Sequence, residues 1–153
     1  NLFAQMHVPV GEVQASRGAN GIDGQLSTWL GATVGQDRAW GIFGDLTVLY
    51  DLAAPALLRQ DEGRGRVLVV INNKGGRIFE RLPRLQGLEE EERALMANAH
   101  QQQFQSWAEM WGMDYQLVTG RESFELEPRD KPLVLELRPD DKQTTAFWEN
   151  WEA

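Results

Sequence analysis

The chain has 153 residues, a net charge of −8 and no cysteine. That length suits one domain with a real core. The absent thiols exclude disulfides and zinc–thiolate sites, and the acidic balance argues against a nucleic-acid surface, which needs a basic patch. No apolar run is long enough for a membrane span or a signal peptide, so a cytoplasmic location is the default expectation. A first residue of Asn1 rather than Met reads as a piece of something longer.

Gly24 to Val34 reads as a helix entered through a glycine-rich turn. Ala39 to Phe43 is a short apolar run that ends in Gly44-Asp45. Leu46 to Gln60 ("LTVLYDLAAPALLRQ") carries apolar residues at helical spacing and predicts one helix despite Pro55. Arg59 to Arg66 ("RQDEGRGR") is a turn. Val67 to Ile71 is apolar without alternation, as expected of a parallel strand covered on both faces. Gln86 to Arg93, which holds "EEEE", is a solvated helix start or a mobile loop. Gln101 to Trp111 predicts an amphipathic helix, and Leu133 to Leu137 ("LVLEL") a further strand. Strands alternating with helices imply an α/β fold, with a mainly parallel sheet and helices on both faces. The whole of 1–153 is expected to form one domain.

In open parallel sheets ligands bind beyond the carboxyl ends of the strands. Two such ends carry oxygen ligands here, Asp45 after one strand and Asn72-Asn73 after the next. Taken singly, Asp45 also reads as a helix N-cap and Asn72-Asn73 as a turn before glycine. Together, a carboxylate, a carboxamide oxygen and a carbonyl freed by a glycine-rich turn suit magnesium. That ion prefers hard oxygens and completes its shell with water and substrate phosphates. A helix starting near Leu46 would turn its free N–H groups toward the same anion.

The pair Gly44-Asp45, with the second Asn of "NN" 28 residues after Asp45, resembles the signature of thiamine diphosphate enzymes. "SRGANGIDGQLSTWLG" (Ser16 to Gly31), "GDLTVLYDLAAPALLRQ" and "NNKGGRIFERLP" (Asn72 to Pro83) are similar to segments of one branch. That branch is MenD, the 2-succinyl-5-enolpyruvyl-6-hydroxy-3-cyclohexene-1-carboxylate synthases of menaquinone and phylloquinone biosynthesis. The likeness continues more loosely through His100 and "WAEMWGMDY" to "PLVLELRPD". It implies the C-terminal, thiamine diphosphate-binding domain of a transferase that decarboxylates 2-oxoglutarate and adds the succinyl unit to isochorismate.

By that resemblance Asp45 and Asn73 would ligate Mg2+ (or Mn2+) by side chain and Gly75 by its carbonyl. Gly44, Leu46 and Thr47 would lie along the diphosphate. Ile22 would wedge beneath the bent cofactor, or else be an ordinary core residue at a helix entry. Arg17 would hold a substrate carboxylate, and Ile78, Phe79 and Leu82 would form an apolar pocket wall, with core packing as their other reading. Lys74 and Arg77 depart from the family pattern and would put cations beside the pocket. No catalytic residue is assigned. The family's glutamate lies in another domain, usually a partner subunit's, which implies a homo-oligomer. Glu80, Glu109 and Glu136 read as surface or helix-face residues. Another thiamine-dependent decarboxylase, or a non-catalytic binding domain of the same fold, are the alternatives.

Overall fold

The computed structural model describes residues 13–15, 21–60, 64–79, 87–120 and 130–151, with the side chain of Phe79 excepted. In chain order the elements are α1 (Gln25–Ala32), β1 (Ala39–Gly44), α2 (Asp45–Leu49), a 3-10 segment (Ala54–Gln60), β2 (Arg66–Ile71) and a 3-10 turn (Arg77–Phe79). They continue with α3 (Glu90–Ala97), α4 (Gln105–Met110), β3 (Asp114–Val118), β4 (Leu133–Leu137) and α5 (Asp141–Trp151). The four strands form one sheet in the order β1-β2-β4-β3, and every neighbouring pair is parallel. This is the α/β fold expected from the alternation of strands and helices.

Side chains on a strand alternate between faces, and the burial of β2 shows both faces covered. Leu68 and Val70 join Val134, Leu26, Leu30, Val48, Phe104 and Trp107 in the main core. Val69 joins Leu135 and Val118 in a second cluster. The unbroken apolar run of β2 therefore has the cause assigned to it, two buried faces rather than one.

Two departures from the sequence reading have local causes. The helix expected over Leu46 to Gln60 is broken: α2 stops after one turn and the chain resumes as a 3-10 segment. Pro55 has no N–H to give an α-helical bond, and the bonds around it are of i→i−3 type, Ala54 N–H to Asp51 O and Ala56 N–H to Ala53 O, each at 3.0 Å. The acidic run, read as a solvated helix start or a mobile loop, is a helix start. Glu89 and Glu92 form a reciprocal capping box at the start of α3, and three glutamates occupy the first turn, where the helix dipole favours them. Strand β3 and helix α5 were not anticipated. β3 is an edge strand whose residues are mostly half-buried, and α5 buries no residue, so neither carries a strong apolar period.

The interrupted helix frees Asp51 for another task. Its carboxylate accepts the Ser27 backbone N–H at 2.7 Å and the Ser27 hydroxyl at 2.9 Å. The N-cap of α1 is Gly24, which has no side chain to cap with, so Asp51 supplies the acceptor from across the fold. At the other end of α1, the buried Arg66 guanidinium donates to Thr33 Oγ1 at 3.1 Å and to the Thr33 carbonyl at 2.6 Å. The positive group thus sits where the helix dipole is negative. Between these ends Trp29 meets Phe43 edge-on at 5.8 Å and lies over Gly41. A Cβ at Gly41 would come within 2.7 Å of the indole, so glycine is needed there for close packing. The indoles of Trp107 and Trp111 both donate to the Leu52 carbonyl, at 2.8 and 3.1 Å. The turn after α2 is thereby tied to α4.

Asp51→Ala strips two bonds from the start of α1 and is expected to cost about 1–2 kcal/mol of unfolding free energy, read by urea denaturation. A change below about 0.3 kcal/mol, within ordinary error for surface substitutions, would show that the cap contributes nothing.

Candidate functional site

Strands β1 and β2 run side by side with Gly44 opposite Ile71. The residues that leave their carboxyl ends, Asp45 and Asn72-Asn73, are therefore neighbours by register. Asp45 is the first residue of α2, and Gly44, not Asp45, is its N-cap. The Asp45 carboxylate is 2% exposed. Its Oδ1 accepts the Leu46 N–H at 2.7 Å, and its Oδ2 reaches across to accept the Gly75 N–H at 2.9 Å. Of the N–H groups at the start of α2, that of Leu46 is thus engaged by Asp45.

One terminal atom of the Asn73 carboxamide lies 3.3 Å from Asp45 Oδ2 and 2.7 Å from the Gly75 carbonyl oxygen. With nitrogen in that place the amide donates to both. With oxygen there, it faces two other oxygens, an arrangement that a cation relieves; the two states differ only by rotating the amide. In an octahedral shell with metal–oxygen distances of ~2.1 Å, adjacent oxygens stand about 3 Å apart. The two separations made by the Asn73 amide, 3.3 and 2.7 Å, bracket that spacing. Among the described residues no group of three or more His, Cys, Asp or Glu is placed to hold a metal. The donor set here is one carboxylate, one carboxamide and one carbonyl.

Backbone conformation explains the first of the two glycines after Lys74. Gly75 has φ 139°, and a Cβ there would lie 2.7 Å from the Ala97 carbonyl oxygen. Lys74 adopts φ 66°, a left-handed conformation that L-residues other than Asn and Gly enter at a cost. Its side chain is exposed. The loop is pinned to the end of α3 by Gly76 N–H to Ala97 O at 2.6 Å, and to the next segment by His100 N–H to Lys74 O at 3.2 Å. His100 brings its Nε2 to 3.2 Å from Asp45 Oδ2, out of hydrogen-bond alignment, while its Nδ1 accepts the Gln102 N–H at 3.1 Å. A lone histidine outside the motif gave no sign of this placement.

The first asparagine turns inward. Asn72 Nδ2 donates to Glu136 Oε1 at 2.7 Å and to the Gln102 carbonyl at 3.0 Å, and its Oδ1 accepts the Lys74 N–H at 3.2 Å. Glu136, read from sequence as a surface or helix-face residue, is fully buried in β4. It also accepts from Tyr115 Oη at 2.7 Å, Arg138 Nε at 2.7 Å and the Phe104 N–H at 3.1 Å. Burial alone would raise its pKa. The hydrogen bonds from Arg138, Tyr115, Asn72 and Phe104 outweigh burial and hold it below the ordinary 4.5. Burial, then the bond to Glu136, pushes Tyr115 up to about 12. The sequence "LVLEL" held the one clue, a charge in the middle of a strand that is otherwise aliphatic.

The other expected site residues divide. Thr47 is half-buried, with its hydroxyl 4.0 Å from where a Gly44 Cβ would stand. Leu46 is half-buried beside Gly76. Ile22 is 40% and Ile78 77% exposed, so neither is a core residue. Arg77 pairs with Asp141 at 3.0 Å. Arg17 and Leu82, and the side chain of Phe79, lie outside the described residues.

Comparison with known proteins follows the same residues. Over 148 residues the chain is 46% identical to a 2-succinyl-5-enolpyruvyl-6-hydroxy-3-cyclohexene-1-carboxylate synthase of Akkermansia muciniphila, which covers 94% of this chain. The chain is homologous to the MenD synthases. Synthases of the same name from Bdellovibrio bacteriovorus and Phocaeicola vulgatus are 38% and 35% identical, over 94% and 95% of the chain. The chain spans 26–28% of the length of these MenD relatives. No family model matches the chain.

Two outcomes test this geometry. Lys74→Asn is expected to stabilise by about 0.5–1 kcal/mol in urea denaturation, since Asn tolerates the left-handed conformation; a loss would mean the lysine side chain holds the loop. Because the Glu136 pKa is lowered on folding, its contribution is complete above about 4.5 and is lost as pH falls through the folded value. Stability should therefore drop with acid below that point, and the drop should be shallower in Glu136→Gln. Identical slopes would remove Glu136 from the acid-sensitive groups.

Proposed function

We propose that the chain is the C-terminal, thiamine diphosphate- and Mg2+-binding domain of a MenD-type carboligase. Its reaction would decarboxylate 2-oxoglutarate and join the remaining succinyl unit to isochorismate in menaquinone or phylloquinone biosynthesis. The observation that carries this reading is the meeting of Asp45 Oδ2, the Asn73 carboxamide and the Gly75 carbonyl within 3.3 and 2.7 Å. The likeness to three synthases of that name supports it.

In this reading Asp45, Asn73 and Gly75 hold the metal and leave positions open for diphosphate oxygens. Gly44, Leu46 and Thr47 border the diphosphate, with the Thr47 hydroxyl as a donor. When bound, the cofactor supplies an electron sink for the carbon–carbon bond that breaks. Ile22 and Ile78, both exposed, offer apolar surface to its ring half and to substrate, and Arg17 offers a fork for a carboxylate. The proton-donating glutamate comes from another domain, contributed by a partner subunit in a homo-oligomer. Trp40, Ile42 and Ile71, which are exposed on β1 and β2, supply the kind of apolar surface such an interface needs.

Calorimetry of the full-length protein with thiamine diphosphate should show binding that requires Mg2+. Asp45→Ala and Asn73→Ala should each weaken it by more than the ~10–100-fold typical of residues that only support a ligand. Binding without Mg2+, or unaffected by both substitutions, would overturn the metal assignment. The 153-residue chain alone should show no release of CO2 from 2-oxoglutarate. Turnover by a different 2-oxo acid in the full-length protein would favour another thiamine-dependent decarboxylase.

A further inference from the structure

Glu136 is fully buried yet is no part of the oxygen trio, and a buried charge that only filled the core would be a poor choice there. Breaking a buried pair is costly, while replacing it with apolar groups is often neutral or favourable. Its four donors show where it acts. Tyr115 and Arg138 belong to the sheet and its immediate continuation. Asn72 and the Phe104 N–H belong to the two segments that flank Asp45. Asn72 starts the loop that presents Asn73 and Gly75. Phe104 ends the segment that places His100 3.2 Å from Asp45 Oδ2.

The restraint continues through Asn72. Its backbone N–H is still paired to β4, at 2.8 Å from Leu137 O, so the chain is fixed to the sheet up to that point. Its side chain is used on both sides: Nδ2 is held by Glu136 and Gln102 O, and Oδ1 holds the Lys74 N–H. That last bond closes the turn just where Lys74 takes its left-handed conformation. The carboxylate, the inward asparagine and the strained lysine are consecutive links leading to the Gly75 carbonyl.

We propose that Glu136 is a positioning residue for the metal loop, acting through Asn72 to fix the Asn73 carboxamide and the Gly75 carbonyl opposite Asp45. This rests on the reading of the trio as a metal site. Gln is a poor substitute for Glu136, because its NH2 would face donors where the second carboxylate oxygen now accepts. Asn72→Ala removes the link and leaves Glu136 its other three donors.

The test uses the full-length protein with added thiamine diphosphate and a Mn2+ titration followed by electron paramagnetic resonance. Glu136→Gln and Asn72→Ala should each weaken Mn2+ binding by ~10–100-fold, the usual effect of groups that orient metal ligands. The double variant should be little worse than the weaker binder of the two, since both act along one path. Asp51→Ala, which removes a carboxylate that among the described residues bonds Ser27 and not the metal loop, serves as the control and should leave the Mn2+ constant unchanged. Wild-type Mn2+ affinity in Glu136→Gln, alongside loss in Asp45→Ala, would overturn the proposal and leave the metal reading standing. So would additive losses in the double variant. If Glu136→Gln does not fold, unchanged Mn2+ affinity in Asn72→Ala overturns it equally. Absence of Mn2+ binding in the wild-type protein would overturn the metal reading and this proposal with it.

Discussion

One buried carboxylate sets the terms for the rest of this fold. A charge removed from water costs several kcal/mol unless its lone pairs are satisfied, and Glu136 meets that demand with four donors drawn from four separate parts of the chain. The edge strand β3 is held by Tyr115, the start of α4 by the Phe104 N–H, and the loop after β2 by Asn72. None of these segments could shift without taking a donor from the charge. The interaction therefore acts less as a contribution to net stability than as a constraint on where the loops beyond the sheet can lie.

Beyond the sheet, the same logic runs with oxygens instead of donors. Asp45 sits almost wholly buried with one oxygen turned to its own helix and the other to the neighbouring loop. Beside it the Asn73 amide stands 3.3 Å from Asp45 Oδ2 and 2.7 Å from the Gly75 carbonyl oxygen, spacings near those of a metal's oxygen shell. The amide offers two ways to resolve that crowding, by presenting nitrogen or by receiving a cation. A carboxamide is the side chain that can do either without changing its shape.

Much of this could be read along the chain. The apolar run of β2 announced a strand buried on both sides, and the pattern of strands and helices gave the parallel sheet. The pair Gly44-Asp45 and the distant Asn72-Asn73 marked two strand ends with oxygen ligands. Where the reading failed, a local signal was overruled or absent. The apolar spacing of Leu46 to Gln60 suggested one helix, but a proline without an N–H broke it, and the break set Asp51 against Ser27. β3 escaped notice because an edge strand buries too little to impose alternation. Glu136 was taken for a surface residue because charge in a sequence ordinarily means water.

The sequence by itself determined the fold class and the carboxyl ends of β1 and β2, because these depend on periodicity and on short-range chemistry. Only the tertiary structure decided which asparagine faces in and which faces out. One register step separates them, and that choice depends on a carboxylate 64 residues away from Asn72 in the chain. It also decided that the Leu46 N–H is occupied and that His100 stands beside Asp45. Such pairings arise from the close approach of segments distant in sequence, and their energies are set by burial, which no local pattern of residues records.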